Sequence, residues 1–147
     1  MRIAGYGVSV DLPPGWEGRI SRRGDAGPVV HIATFPLLQS DGDFGAAATG
    51  RMRGDDTFAA LLEFRDDHLI RPGVGLFEEL GRPAPHPQHF MAMQLQVARP
   101  GQLGWQRFFT DAGRALCLYA VIQPLHRSTA LLAAELRGVL GTIELVG

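Results

Sequence analysis

The chain has 147 residues, 14 Lys+Arg against 15 Asp+Glu for a formal net charge of -1, and 46% hydrophobic residues. That length suits a single domain able to bury about 70% of the surface its unfolded chain exposes, so neither a metal nor a disulfide is required to build a core. Near-neutral charge, with Arg scattered from Arg2 to Arg137 and no Lys, excludes the clustered positive face that nucleic acid needs, and the lack of 18 uninterrupted apolar residues excludes a helical membrane span.

From Met1 the chain runs directly into a strand pattern with no basic segment, apolar stretch or cleavage site ahead of it, and a cytoplasmic protein is expected. Tyr6, Val8, Val10 and Leu12 alternate with Gly7, Ser9 and Asp11, the period of a half-buried strand that Pro13-Pro14-Gly15 turns. Trp16 opens the return strand, with Trp16, Gly18 and Ile20 inward and Glu17, Arg19 and Ser21 outward. Residues 28 to 35 are nearly continuously apolar, the mark of a strand covered on both faces and a candidate for the centre of the sheet.

Residues 41 to 52 are Ala-rich behind the capping candidates Ser40, Asp41 and Asp43, which predicts a short helix despite Gly45 and Gly50. After Gly54-Asp55-Asp56, residues 57 to 64 read as a strand. Residues 65 to 88, rich in Pro and Gly, read as a long loop with one helical turn at 76 to 80, the first place to look for a partner site.

Residues 89 to 97 read as a strand leading, through Arg99-Pro100-Gly101, into a hairpin over 103 to 123 folded about Asp111-Ala112-Gly113. A three-residue turn ending in Gly suits a type I turn with a following bulge and puts Gly113 in the left-handed region. Two registers stay open. Pairing Thr110 with Arg114 groups Trp105, Arg107 and Phe109 with Ala115, Cys117, Tyr119 and Val121. Pairing Asp111 with Arg114 groups Leu103, Trp105, Arg107 and Phe109 with Leu116, Leu118, Ala120 and Ile122. Cys117, the one cysteine, has no disulfide partner and reads as a small buried hydrophobe. Ser128 caps a helix over 128 to 140 with Leu132, Leu136, Val139 and Leu140 on one face and Gly141 as its stop, and 142 to 146 is a last short strand.

The sum is an α+β domain, a twisted antiparallel sheet of about six or seven strands flanked by helices. The opening Gly7-Val-Ser-Val-Asp-Leu-Pro-Pro-Gly-Trp16, this order of elements and the closing Val139-Leu-Gly-Thr-Ile-Glu-Leu145 resemble the PsbP-like superfamily. That group includes a photosystem II extrinsic protein, a Ran-binding nuclear transport protein and actinobacterial lipoproteins. The resemblance implies an antiparallel sheet flanked by helices and a role in binding proteins, and it transfers no catalytic residue.

No nucleophile elbow, phosphate-binding glycine pattern or cysteine signature is present, so no enzyme activity and no cofactor are expected. His86-x-x-His89, with Asp66, Asp67, His68, Glu78 and Glu79 nearby, has a spacing a metal could use, but Pro87 between the two histidines prevents a shared helical face and no metal site is assigned. Arg107 is the leading anomaly: among Trp105, Phe109 and a facing Tyr119 or Leu118, its guanidinium must find an anion, stack on an aromatic or reach the surface. Arg107, Trp105, Trp16, Asp66, His68 and Phe77 are therefore the candidate contacts. They would serve a protein partner or self-association in an adaptor module, or else a small anionic ligand carried in a groove near Arg107.

Overall fold

In the computed structural model, residues 1–65 and 70–146 are described. The first two strands, Arg2–Gly5 (β1) and Val8–Asp11 (β2), make an antiparallel hairpin that the sequence pattern reads as a single strand from Tyr6. Tyr6 and Gly7, at φ 52° and 77°, form the connection. Two positive φ values match a hairpin turn to the right-handed twist of its strands. Tyr6 is thus turned out to solvent, while Val8 and Val10 point inward as the alternation predicts. Glu144–Leu145 (β8) pairs along the other side of β2 and completes a three-stranded sheet, order β1-β2-β8.

Five further strands form the main sheet: Glu17–Arg22 (β3), Pro28–Ala33 (β4), Thr57–Phe64 (β5), Leu103–Asp111 (β6) and Arg114–Ile122 (β7). Their order is β3-β4-β5-β7-β6, antiparallel throughout, with β5 at the centre and β4 beside it. The expected single sheet of six or seven strands is therefore two sheets, of five and three. The small sheet packs closely over β3 at Gly18, where a Cβ would stand 2.6 Å from Ile3 Cδ1 and 2.8 Å from Leu12 Cδ1 and would push those side-chain ends aside.

Both faces of the main sheet are covered, which accounts for the nearly continuous apolar runs of β4, β5 and β7. On one face Leu61, Trp105, Phe109, Leu116 and Leu118 pack beneath the small sheet and the helix Thr129–Leu140 (α2). Leu132, Leu136, Val139 and Leu140 of α2 are buried there, and Ser128 Oγ caps the helix by accepting from the Leu131 N–H at 3.1 Å. Gly141 ends the helix where expected but with φ -64°, right-handed. On the other face Phe58, Ala60, Leu62, Tyr119 and Val121 lie under Leu37, Ala48 and Met52.

The helix expected over 41 to 52 shrinks to one turn, Ala46–Thr49 (α1). Gly42 and Gly45, at φ 85° and 72°, break it from the front. Asp41 is no cap; it is buried, accepts from the Leu38 N–H at 2.7 Å and pairs with Arg51.

The β6–β7 hairpin pairs Asp111 with Arg114, the second of the two registers. Its loop has two residues, Ala112 and Gly113, both left-handed at φ 54° and 71°, in place of the three-residue bulged turn. Gly113 falls in the left-handed region as predicted. This register sets Trp105 and Phe109 beside Leu116 and Leu118 in the core under α2.

The strand expected over 89 to 97 is absent. Pro87–His89 and Ala92–Gln94 are 3-10 turns, and a single bridge joins Met91 to Gly104. The Gln94 side chain accepts from the Gln106 N–H at 2.9 Å, replacing the backbone partner a strand would have supplied. Among the described residues, no helix is long and apolar enough to cross a membrane.

Candidate functional site

Arg107 stands on the α2 side of β6 between Trp105 and Phe109, and the anion it meets is its own chain's. Its Nε donates to Glu79 at 3.1 Å and its Nη2 donates to the other carboxylate oxygen, a bidentate pair. Both side chains remain about two-fifths exposed, at 38% and 40%, so the pair contributes on the order of 0–1 kcal/mol and chiefly holds the loop.

The same loop is tied down by Thr110. Its N–H donates to Glu79 O at 2.7 Å, its hydroxyl donates to Phe77 O at 2.7 Å and accepts from the Gly73 N–H at 2.7 Å, and its carbonyl accepts from Gly81 at 2.8 Å. The described part of the expected loop, 70 to 88, is therefore ordered against β6, with its helical turn at Gly75–Phe77, slightly earlier than expected.

The other candidates scatter. Trp105 is 1% exposed, its indole stacked under the His89 ring at 6.0 Å and beside Phe90. Trp16 is half-buried and packs on the same core, adjoining β3 at the opposite edge of the sheet from β6. Phe77 is buried in an aromatic group with Phe64 and Phe108, at centroid distances of 5.8 and 5.7 Å. Asp66 and His68 lie outside the described residues. Of the four described candidates, Arg107 and Trp105 share β6, while Trp16 and Phe77 stand on other segments.

The outer edge of β6 carries a feature the sequence reading missed. Val74, Leu76 and Leu80 from one loop, and Met91, Met93 and Val97 from the next, are all exposed. Leu80 bridges Thr110 at one end of β6 and Met91 bridges Gly104 at the other. The signal was present in the sequence as apolar residues inside Gly- and Pro-rich segments, whose exposure local pattern does not determine.

A cleft of about 670 Å³ on another part of the surface was also missed. Thr34, Phe35, Pro36, Leu38, Arg51, Arg53 and Asp56 line it. Its walls are held by Arg51, which donates to Pro36 O at 3.0 Å while paired to Asp41, and by the Thr34 hydroxyl, which donates to Asp56 at 2.9 Å. Burial works to raise the Asp41 pKa, but hydrogen bonds from Arg51 and the Leu38 N–H outweigh it and hold the carboxyl below its usual range.

Among the described residues, Cys117 is shielded, and His86 and His89 face each other. Burial pushes the Cys117 thiol up to about 12, far from the range of a nucleophilic thiolate. His86 and His89 lie with rings 5.3 Å apart, the His89 Nδ1 accepting from the His86 N–H at 3.2 Å. Among the described residues no group of three or more His, Cys, Asp or Glu is placed to hold a metal ion.

His31 is buried on β4, edge-on to Phe58, and its Nε2–H donates to Asp43 O at 2.8 Å. Burial lowers its pKa, against the weaker opposing pull of the Asp43 carbonyl and the Asp41 and Asp43 charges. The folded chain therefore holds the ring neutral where the unfolded chain would protonate it. Stability is full above the unfolded value of 6.5 and falls as pH drops through 6.5 toward the folded pKa. Urea midpoints at pH 7.5 and 5.5 should show this decline, and His31→Gln should flatten it; an equal decline in the variant would refute the assignment.

Comparison with models of known protein families, with curated proteins and with solved structures finds no match to this chain.

Proposed function

We propose that the chain is a non-enzymatic protein-interaction module whose contact surface is the outer edge of β6. The observation that carries this reading is the set of exposed apolar side chains, Val74, Leu76, Leu80, Met91, Met93 and Val97, on two loops fastened to one edge strand. Apolar surface and Met are enriched at the cores of interfaces, and their solvation is unfavourable without a partner.

Main-chain geometry adds to it. Gly104, Gln106 and Thr110 direct their outward N–H groups to Met91 O, the Gln94 side chain and Glu79 O. By the same alternation Phe108 turns its amide outward, where no described residue takes it, so one pairing position on this otherwise covered edge is left for a partner's main chain. The shielded Cys117 thiol and the occupied Arg107 fork support binding over catalysis, and the PsbP-like resemblance points the same way.

A photo-cross-linker placed at Leu80 or Met93 in cells should give one discrete protein adduct, and a probe on the far edge at Glu17 should not. Leu80→Glu with Met93→Glu should weaken that complex by about tenfold or more without lowering the unfolding midpoint. A concentration-independent monomer with no adduct from either position would sink the reading.

A further inference from the structure

Beyond that reading, we infer that the cleft between the end of β4 and the segment after α1 binds a small zwitterion with an apolar side group, an apolar α-amino acid being the simplest. The charges of the cleft decide the class. Arg51 is neutralised by Asp41, which takes both its Nη groups. What faces an incoming molecule is then one cation, Arg53, whose exposed guanidinium has no hydrogen-bond partner among the described residues, and one carboxylate, Asp56.

Asp56 accepts one bond on each oxygen, from the Thr34 hydroxyl at 2.9 Å and the Arg53 N–H at 2.9 Å. A carboxylate has about four acceptor sites, so it retains capacity for an ammonium. A dianion would meet Asp56 and a cation would meet Arg53; a molecule with one charge of each sign satisfies both.

Phe35, Pro36 and the exposed Leu38 supply the apolar wall. The size, about 670 Å³, falls among small-molecule sites. The walls are braced before any ligand arrives by Arg51 on Pro36 O and Thr34 on Asp56, so little ordering is needed on binding.

Titration of the 15N-labelled chain with L-phenylalanine tests this by amide shifts. Saturable shifts confined to residues 34 to 38 and 51 to 56 are expected. N-acetyl-L-phenylalanine, lacking the ammonium, and L-phenylalaninamide, lacking the carboxylate, should each bind at least about tenfold more weakly. Arg53→Gln, a surface change that leaves the spectrum otherwise intact, should cost a similar factor for the free amino acid. The inference is overturned by no saturable shift below roughly 10 mM, by shifts elsewhere, by capped analogues binding equally well, or by an Arg53→Gln chain that binds like the parent. None of these outcomes touches the β6 edge, so the two proposals stand or fall separately.

Discussion

Arg114→Met destabilises the fold by about 3–5 kcal/mol, because it leaves the Glu63 carboxylate buried without its main counter-charge. Glu63 and Arg114 have side chains only 7% and 9% exposed, and Arg114 reaches the same carboxylate oxygen through Nε at 3.0 Å and Nη2 at 2.6 Å. Arg65, on the outer side, adds a single bond at 3.1 Å. The remaining donors of Arg114 cross to the small sheet, to Gly7 O at 2.9 Å and Tyr6 O at 3.2 Å. The substitution therefore also loosens the β1–β2 hairpin from the main sheet, and amide exchange at Val8 and Val10 should quicken.

The double variant Glu63→Leu with Arg114→Met should recover most of the loss, since an apolar pair of similar size avoids the stranded charge. Burial works to raise the Glu63 pKa, while the bonds from Arg114 and Arg65 prevail and hold it below 4.5. Its contribution is thus present above pH 4.5 and is lost as pH falls through the folded value, and Glu63→Gln should remove that part of the acid transition. Denaturant midpoints decide the matter; a loss under about 1 kcal/mol for Arg114→Met would show the pair to be no tighter than a surface one.

Gly45→Ala is expected to cost about 2–5 kcal/mol, the sum of a left-handed backbone and an overpacked ring. At φ 72° the backbone disfavours any side chain, and the added Cβ would lie 2.1 Å from Phe58 Cζ. Phe58 is fully buried under the segment that holds α1, so its ring cannot swing aside cheaply. Gly42→Ala is the control, since it has φ 85° but nothing within 4 Å of the new Cβ, and it should show the backbone cost alone. Phe58→Leu in the Gly45→Ala background should regain part of the difference. Equal thermal shifts for the two glycine variants would mean that the ring contact is not what holds this loop down.

Local pattern foretold most of the strands and α2 because burial of a face imposes a period on the residues that form it. Val8 and Val10, the inward side of β3, the nearly continuous apolar run of β4 and the stripe on α2 all follow that rule. It failed where glycine and side-chain bonds compete with the pattern. Tyr6-Gly7 splits one apparent strand into a hairpin, Gly42 and Gly45 shorten a helix, and Gln94 replaces a strand partner for β6. The sites were less legible. Trp more often anchors a core than a ligand, and Trp105 does so, but Phe77 lies in a Gly- and Pro-rich segment whose pattern does not reveal its burial, and the cleft at Arg53 left no motif because its lining comes from two separated segments.

By itself, the order of amino acids determined an antiparallel α+β chain, the ends of α2, a left-handed Gly113 and the two pairings open to the last hairpin. Tertiary structure decided between those pairings, set the small sheet across the large one, and gave Arg107 a carboxylate 28 positions away and Arg114 one 51 away. The physical reason is one of range. Periodicity is enforced between neighbours along the chain, whereas register, layering and ion pairing depend on which distant surfaces exclude water together.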